Sequence, residues 1–234
     1  MTNETTPRHI GVIMDGNRRW AKAQGESKFY GYEHGYKKLI ELLAWCLEAN
    51  IEFLTVYAFS TENFKRDTAD FEYIYDLIST FFTDCADYCI ANSVVFRFIG
   101  RGELINNDLT DRLHRINEHT ISPNLTVQIA FGYGGRDEIT RAMQSVSEEI
   151  LSGKYKPSDI DEKFVGKHLD TRGVPDVDMI IRTGNANRLS NFLLWQAHYA
   201  DIYFLDKMWP ALSKEEFMSL VETCKSNRKA EYGS

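Results

Sequence analysis

The stretch that decides the fold lies near the start of the chain and reads HIGVIMDGNRRWA, residues 9–21. Its first half is an apolar run of strand length, which ends abruptly at Asp15 and Gly16. Continuous apolar runs are typical of buried strands in parallel sheets, and ligands bind at the carboxyl ends of such strands. Gly16 lets the backbone turn tightly at this point. The stretch therefore predicts a buried strand that delivers a polar turn to a ligand site.

The turn brings the carboxylate of Asp15 close to the guanidinium groups of Arg18 and Arg19. A divalent cation takes hard oxygen ligands, whereas a phosphate takes arginine forks and backbone amides. This mixture of charges indicates a site that holds a metal ion and a phosphate together. The alternative is that Asp15 is the N-cap of a helix and both arginines lie in solvent.

The composition is that of a soluble globular protein, with 43% hydrophobic and 26% charged residues among 234. No composition break divides the chain, so we expect one domain over residues 1–234. The net charge of −7 gives no general attraction for nucleic acid, and we expect no nucleic-acid partner. An anionic ligand must therefore be held by local clusters of arginine.

The sequence contains no apolar run near the roughly 20 residues that span a bilayer, so we expect no transmembrane segment. The polar start, Met1 to Arg8, resembles neither a signal peptide nor a transit peptide. We expect a cytoplasmic protein, or one of an organelle stroma if a transit peptide has been removed. The four cysteines lack paired C-x-x-C spacing and are interpreted as buried free thiols.

Strand-length apolar runs alternate with helical patterns along the whole chain. After the first strand, further strands are predicted at 53–59, 94–99, 125–131, 177–181 and 202–204, and helices at 34–50, 70–92, 106–118, 137–151, 160–169, 189–196 and 213–226. This alternation predicts an α/β fold with an open, mostly parallel six-stranded sheet and helices on both faces. The aromatic-rich helix at 70–92 is core or the wall of an apolar cavity.

Three of the predicted strands end in polar loops. The polar residues of these loops are Asp15, Asn17, Arg18 and Arg19 after the first strand, Ser60, Glu62, Asn63 and Arg66 after the second, and Arg182, Arg188 and Ser190 after the fifth. The carboxyl ends of parallel strands converge on one crevice. Several arginines converging in an acidic protein indicate a polyanionic ligand, and a diphosphate fits best.

The chain resembles a known family over nearly its full length. Besides the opening stretch, the matching motifs are FSTENFKR (59–66), GYGGR (132–136), IRT (181–183), RLSNFLLWQ (188–196) and YADIYF (199–204), in the family's order and with similar spacing. By these motifs the chain resembles the cis-prenyltransferases, the undecaprenyl diphosphate synthase family.

The resemblance implies a Mg²⁺-dependent transferase that couples prenyl diphosphates, with a hydrophobic tunnel in the fold and a homodimer as the assembly. The implied catalytic residues are Asp15, Asn63 and Arg66. The implied substrate-binding residues are Gly16, Asn17, Arg18, Arg19, Trp20, Lys28, Tyr32, Ser60, Phe64, Arg182, Arg188 and Ser190. Asp15 and Asp201 are the implied Mg²⁺ ligands.

Four positions depart from the family pattern. Tyr32 stands where His is usual, Lys28 where Arg is usual, Ala186 where Glu is usual, and Asp201 where Glu is usual. The changes at Ala186 and Asp201 lie near the expected site of the second substrate, and they reflect either drift or a changed second substrate. On the second interpretation the enzyme joins two dimethylallyl units head-to-middle, as lavandulyl-type synthases of this family do.

Three other functions stay open from the sequence. The first is regular head-to-tail addition of isopentenyl units, giving a short or an undecaprenyl product. The second is a non-catalytic partner subunit, which the intact motif around Asp15 disfavours. The third is a phosphate hydrolase on a doubly wound sheet, disfavoured because the sequence has no Walker lysine.

Overall fold

The computed structural model describes residues 6–65 and 68–232. Within them six strands form one sheet in the order β3-β4-β2-β1-β5-β6, and every neighbouring pair is parallel. The strands are β1 (His9–Ile13), β2 (Phe53–Ser60), β3 (Val94–Gly100), β4 (Leu125–Tyr133), β5 (Met179–Arg182) and β6 (Asp201–Phe204). The predicted open α/β sheet is confirmed, and it is parallel throughout.

Helices connect the strands. They are α1 (Asn17–Ala23), α2 (Lys28–Glu48), α3 (Thr68–Asp84), α4 (Ala86–Ala91), α5 (Asn107–Asn117), α6 (Gly135–Leu151), α7 (Glu162–Gly166) and α8 (Lys214–Tyr232). Among the described residues, no helix combines the length and apolarity needed to cross a membrane. The four cysteines are free and buried, as predicted.

Alternate residues of the strands face two separate apolar cores, because side chains in a strand point to opposite faces. On β1, Ile10 and Val12 join the larger core, which also contains buried side chains of α2, α3, α5 and α8. Ile13 points to the smaller core, where it meets Phe192 and Leu193 of the segment 189–200. All five residues of β1 are buried, as its unbroken apolar sequence predicts.

The predicted helix at 189–196 is wrong, because this segment is a series of turns. Ser190, Asn191 and Leu193 have φ angles of 51°, 66° and 45°, and left-handed residues cannot continue a right-handed helix. The long helix predicted at 70–92 is two helices, α3 and α4, interrupted at Cys85. Helix α2 begins earlier than predicted, where the Ser27 hydroxyl accepts a hydrogen bond from the Tyr30 N–H and caps the helix.

Candidate active site

A cavity of about 1000 Å³ opens at the carboxyl ends of β1, β2 and β5 and extends between the sheet and the helices α2 and α3. Its mouth is lined by polar residues: Asp15, Asn17, Arg18, Arg19, Ser60, Glu62, Asn63, Arg182, Asn185, Arg188, Ser190 and Asn191. Its interior is lined by apolar or aromatic residues: Tyr36, Leu39, Val56, Ala58, Ile74, Leu77, Ile78, Phe81 and Ile129. The cavity therefore has a charged entrance and an apolar interior.

The turn after β1 holds Asp15 at the mouth. Gly16 has φ of 109°, a conformation that side chains disfavour, and this lets the chain reverse directly into α1. The Asp15 carbonyl oxygen accepts hydrogen bonds from the Thr183 hydroxyl at 2.7 Å and from the Trp209 N–H at 3.0 Å. Both donors are fully buried, and their hydrogen bonds fix the backbone of the turn.

Two arginines pair with the Asp15 carboxylate. Arg19 Nη2 lies 3.1 Å from Asp15 Oδ1, and Arg182 Nη2 lies 2.9 Å from Asp15 Oδ2. The side chains of Asp15 and Arg19 are 31% and 49% exposed, whereas that of Arg182 is 5% exposed. Arg182 also donates to Ser190 Oγ at 2.6 Å and to the Arg188 carbonyl oxygen. Arg182 thus joins the turn after β1 to the loop that carries Arg188 and Ser190.

The loop after β2 is tied to the turn segment that follows β5. Asn63 Oδ1 accepts a hydrogen bond from the Ser60 N–H at 3.1 Å, and Asn191 Nδ2 donates to Glu62 Oε1 at 2.9 Å. Burial acts to raise the pKa of Glu62, but hydrogen bonds, among them that from Asn191, hold this pKa below its usual value. Glu62 is therefore an ionised hydrogen-bond acceptor at neutral pH, and it adds a negative charge to the mouth.

Helix α2 packs against α1 at two glycines. A Cβ on Gly31 would lie 2.2 Å from the Asn17 carbonyl oxygen, and one on Gly35 would lie 2.5 Å from Asn17 Oδ1. Only glycine allows this approach, which places Asn17 in the wall of the cavity beside Tyr32. Asn17 Oδ1 is buried and lacks a hydrogen-bond partner among the described residues. The sequence spacing G-x-x-x-G on α2 thus has a packing role at the site.

Asp15 suits a Mg²⁺ ion. Mg²⁺ is commonly bound by one or two carboxylates together with substrate phosphates, and it keeps several of its waters. Asp15 offers two partly exposed oxygens at the polar mouth, and its present partners are arginines that a phosphate can also engage. A metal-bound diphosphate therefore fits the donor set of the mouth.

The apolar interior ends at packed aromatic rings. Ile74 and Phe81 lie on the cavity face of α3 and are seven residues apart, which corresponds to about 10 Å along a helix. Phe81 is buried, and its ring centroid lies 5.5 Å from that of Phe82 and 5.6 Å from that of Phe96. Phe81 is the last residue of α3 that lines the cavity, and these two rings pack against it.

Most of the predicted site residues meet at the mouth. Those that line the cavity are Asp15, Gly16, Asn17, Arg18, Arg19, Tyr32, Ser60, Asn63, Arg182, Arg188 and Ser190. They come from three strand ends and from α2, as the convergence of parallel strands predicts. Arg66 lies outside the described residues.

Three predicted residues lie elsewhere. Trp20 is stacked on Tyr30, with ring centroids 5.7 Å apart and planes 5° from parallel. Lys28 pairs with Asp70, at 2.5 Å between Nζ and Oδ1. Phe64 is 47% exposed and lines a separate pocket of about 520 Å³. The resemblance placed all three in the prediction, but none of them lines the cavity at the mouth. Lys28 nevertheless lies close to it, because its partner Asp70 also pairs with Arg18.

Asp201 lies at the opposite end of the sheet from the cavity. It begins β6, three residues before Phe204. Phe204 pairs in register with Arg182, which lies at the mouth. Three residues of strand span about 10 Å. The Asp201 carboxylate accepts hydrogen bonds from Tyr203 and Asn227. The two predicted metal ligands therefore do not meet within one protomer, because they flank opposite ends of parallel strands.

Sequence reasoning missed several residues that support the site. Thr183 and Trp209 fix the backbone of the turn after β1, and Asn191 connects two loops of the mouth. Thr183 lies in the motif IRT (181–183) and Asn191 in the motif RLSNFLLWQ (188–196), so the sequence could have indicated that both belong to the site. Trp209 lies far along the chain and reaches Asp15 only through the fold.

A charged mouth of carboxylate and arginines above an apolar cavity fits a ligand with a diphosphate head and a hydrocarbon tail. The family model described as "Putative undecaprenyl diphosphate synthase" matches residues 13–233. The chain belongs to this prenyltransferase family and is a transferase of prenyl groups. The predicted resemblance is confirmed.

Relatives and solved structures agree with this assignment. The chain is 38% identical over 230 residues to the tritrans,polycis-undecaprenyl-diphosphate synthase (geranylgeranyl-diphosphate specific) of Picrophilus torridus, and the match covers 97% of this chain and 90% of that protein. Lavandulyl diphosphate synthase of Lavandula x intermedia, crystallised with dimethylallyl diphosphate, superposes with a TM-score of 0.90 at 26% identity, covering 95% of this chain and 96% of that chain. A probable undecaprenyl diphosphate synthase of Campylobacter jejuni gives a TM-score of 0.75 at 34% identity, covering 94% and 95%.

Proposed function

We propose that this prenyl diphosphate synthase joins an allylic C5 diphosphate, dimethylallyl diphosphate, to a second C5 prenyl diphosphate and releases a short product. The observation that carries the proposal is the pairing of Asp15 with Arg19 and Arg182 directly above an apolar cavity that ends at Phe81. Prenyl coupling needs both parts, an anion-binding mouth for the leaving diphosphate and a dry interior for the hydrocarbon.

The reaction breaks the allylic C–O bond, so pyrophosphate leaves and the double bond of the second substrate attacks the allylic carbon. A proton is then lost from the new product. Asp15 would hold Mg²⁺, which would supply charge neutralisation for the diphosphate. Arg18, Arg19 and Asn63 surround the allylic diphosphate in this scheme, and fixed donors of this kind stabilise the charge that develops on the leaving group.

The second diphosphate takes the other side of the mouth. Arg188 and Ser190 offer a guanidinium and a hydroxyl there, and Arg182 fixes this loop by donating to the Arg188 carbonyl oxygen and to Ser190 Oγ. The apolar lining excludes water from the allylic cation, which would otherwise be hydrolysed. This division of the mouth supports two anionic heads bound next to each other, each with its own arginines.

The depth of the interior supports a short product. The lined face of α3 extends only about 10 Å from Ile74 to Phe81, and Phe81 is backed by Phe82 and Phe96. A chain of many isoprene units would have to displace these packed rings. We therefore expect Phe81→Ala to give longer products than the wild-type enzyme when isopentenyl diphosphate is supplied.

Head-to-middle coupling of two dimethylallyl units is the favoured form of the reaction. It is supported by Ala186 in the lining, where the family places an acid, and by the TM-score of 0.90 to a lavandulyl diphosphate synthase. Regular addition of isopentenyl diphosphate is the alternative, and it is supported by the 38% identity to an undecaprenyl diphosphate synthase.

A homodimer is part of the proposal. β6 is the last strand of the sheet order and carries Ile202 and Phe204, which are 39% and 38% exposed. Exposed apolar residues on an edge strand are typical of a protein interface. Asp201, at the start of the same strand, then acts on a metal ion only as a contribution from a second copy. A cytoplasmic location stays a prediction.

Subunit mixing tests the shared site. If each site uses Asp15 of one copy and Asp201 of the other, a heterodimer of Asp15→Asn and Asp201→Asn subunits has one intact site. Activity should then return when the two inactive variants are mixed and allowed to exchange subunits. A mixture that stays inactive, or an active Asp201→Asn homodimer, would contradict a shared metal site.

The deciding experiment for coupling is a product assay with Mg²⁺. One reaction contains dimethylallyl diphosphate alone, and the other contains dimethylallyl and isopentenyl diphosphates. After phosphatase treatment, a branched C10 alcohol from dimethylallyl diphosphate alone supports head-to-middle coupling. Product that forms only when isopentenyl diphosphate is present would establish the regular reaction instead.

A further inference from the structure

The first turn of α3 carries a buried acid beside the mouth. Asp70 is 2% exposed, although it lies on the helix that forms one wall of the cavity. A carboxylate removed from water is retained only when cations or hydrogen-bond donors compensate its charge. The identity of those cations connects Asp70 with the substrate.

The cations that face Asp70 are two of the residues that the resemblance implies bind substrate. Lys28 Nζ lies 2.5 Å from Asp70 Oδ1, and Arg18 Nη1 lies 3.8 Å from Asp70 Oδ2. Arg18 also lines the cavity, and its side chain is 54% exposed. Lys28 begins α2, and its side chain is 30% exposed. Both cations retain access to solvent, so both can turn toward another anion.

The same end of α3 has a second attachment to α2. The Tyr73 hydroxyl donates to Glu33 Oε1 at 2.7 Å, and the ring of Tyr73 lies 4.4 Å from that of Phe29. The amino-terminal part of α3 is therefore held over the cavity through polar contacts that α2 and α1 supply. Any anion that takes Lys28 and Arg18 away from Asp70 weakens this attachment.

We propose that Asp70 is an internal competitor of the allylic diphosphate: it holds Lys28 and Arg18 in the free enzyme and yields them when the diphosphate binds. A diphosphate carries more negative charge than one carboxylate and offers more acceptor oxygens, so it wins both cations. Asp70 then loses its counter-ions, and the first turn of α3 moves outward toward water. The inference rests on the proposed function, and it adds a residue that sets diphosphate affinity and the position of the cavity wall.

A different role for Asp70 predicts the opposite result. If Asp70 only orients Lys28 and Arg18 for the diphosphate, removing its charge weakens binding. If Asp70 competes, the isosteric change Asp70→Asn frees both cations and tightens binding. The sign of the change therefore separates competition from positioning.

The test measures the affinity for inorganic pyrophosphate with Mg²⁺ by calorimetry in the full-length protein. We expect Asp70→Asn to bind pyrophosphate about tenfold more tightly than wild type, which corresponds to about 1.4 kcal/mol. Asp76→Asn is the matched control, because it removes the same charge from an exposed position of the same helix. Its affinity should equal that of wild type.

Hydrogen exchange in the wild-type protein provides a readout that needs no variant. Pyrophosphate should speed amide exchange in residues 68–74 while it slows exchange in the turn after β1. Slower exchange in both segments would overturn the competition, as would an Asp70→Asn affinity that is unchanged or weaker.

The failure of the proposed function gives a different pattern. If wild-type protein does not bind pyrophosphate with Mg²⁺ at all, the diphosphate site itself is wrong and the role of Asp70 falls with it. Binding by the wild type that Asp15→Ala abolishes, together with an Asp70→Asn protein that binds no more tightly, would contradict the role of Asp70 alone.

Discussion

The two ends of the parallel sheet both carry polar side chains, but they differ in how those side chains are compensated. At the amino end, His9 is fully buried and has fixed partners: its Nδ1 contacts the Pro175 carbonyl oxygen at 2.8 Å and its Nε2 contacts Thr55 Oγ1 at 2.7 Å. At the carboxyl end, Asp15 is partly exposed and pairs with Arg19 and Arg182. β1 connects the two ends.

The hydrogen bonds at the amino end form a chain of buried groups. With the Gln128 amide oriented by its neighbours, its nitrogen donates to Thr55 Oγ1 at 2.8 Å and its oxygen accepts from Arg97 Nε at 2.8 Å. The Thr55 hydroxyl then donates a hydrogen bond to Nε2 of a neutral His9, and the Nδ1–H of His9 donates to the Pro175 carbonyl oxygen. These groups bond one another, and they stabilise the fold.

The ion pairs at the carboxyl end can exchange partners. A phosphate can replace Asp15 on Arg19, and a metal ion can replace the arginines on Asp15. The comparison teaches that buried groups with fixed hydrogen-bond partners produce stability, whereas half-exposed charges of both signs produce a binding site. Substitutions at the two ends should therefore affect different properties.

The largest expected effect is on turnover at the carboxyl end. Asp15→Asn should lower kcat about a thousandfold, because it removes the charge that, in the proposed reaction, would hold Mg²⁺ on the diphosphate. The free energy of unfolding should change by no more than about 2 kcal/mol, since asparagine keeps one acceptor for the arginines. Steady-state kinetics and urea unfolding measure the two quantities.

Asp178→Ala makes the opposite test at the amino end. Asp178 Oδ2 accepts hydrogen bonds from the N–H groups of Arg8 and His9, at 2.6 Å and 3.0 Å. Its loss should lower the free energy of unfolding by about 1–3 kcal/mol and leave kcat of the folded fraction unchanged. Loss of turnover in folded Asp178→Ala protein would contradict the claim that the amino end of the sheet affects stability and not catalysis.

Acid should weaken the amino end through His9. Burial lowers the pKa of His9 from 6.5 to about 4, so the folded state favours the neutral ring. The unfolded chain binds the proton first, and stability is lost as pH falls from 6.5 toward 4. The His9 contribution to this loss is about 3 kcal/mol.

Carboxylates titrate in the same pH range, so the His9 effect is measured as a difference between proteins. Urea unfolding of wild type and of His9→Gln is compared at several pH values between 7 and 4. The variant is expected to be less stable at pH 7 but to lose less stability on acidification. Parallel pH curves for the two proteins would show that His9 does not bind the proton upon unfolding.

A smaller effect is expected from the hydrogen bond that supports the turn after β1. Thr183→Val keeps the shape of the buried side chain but removes the hydrogen bond to the Asp15 carbonyl oxygen. We expect kcat to fall about tenfold, since a hydrogen bond of about 1.4 kcal/mol positions Asp15. Thr171→Val is the control, because buried Thr171 accepts a hydrogen bond from Gln196 away from the mouth. An equal fall in both variants would contradict a specific role for Thr183.

The smallest effect concerns the choice of second substrate. Ala186→Glu restores the acid that the family places in the lining of the mouth, and it should raise the ratio of kcat/KM for isopentenyl over dimethylallyl diphosphate about threefold. Ala186→Gln has the same size without the charge and should leave the ratio unchanged. Competition between the two substrates in one reaction measures this ratio, and no shift in Ala186→Glu would mark the departure as drift.

The fold could be predicted from the sequence because its strands are unbroken apolar runs. β1 and β5 are buried on both faces, so their composition alone separates them from the amphipathic helices. The segment 189–196 could not be predicted from its apolar pattern. It is held by tertiary contacts such as the hydrogen bond from the Gly135 N–H to the Asn191 carbonyl oxygen at 2.6 Å, which override helical preference.

The mouth of the site could be predicted because each of its residues follows a strand. The predicted metal ligand Asp201 begins a strand instead, and this difference alone places it at the other end of the sheet. Asp70 and Trp209 gave no signal, because their partners Lys28 and Asp15 are distant in sequence. A family motif indicates which residues take part in the site, and the direction of the strand determines where in the fold these residues lie.

The central claim is that the mouth at Asp15 releases pyrophosphate from an allylic diphosphate above an apolar cavity. The direct measurement is the phosphorus product from dimethylallyl diphosphate, with Mg²⁺ and with EDTA, in wild type and Asp15→Asn. We expect inorganic pyrophosphate in equal amount to the prenyl product, only with Mg²⁺ and only in wild type. Orthophosphate in place of pyrophosphate, or pyrophosphate release that persists in EDTA, would contradict the account.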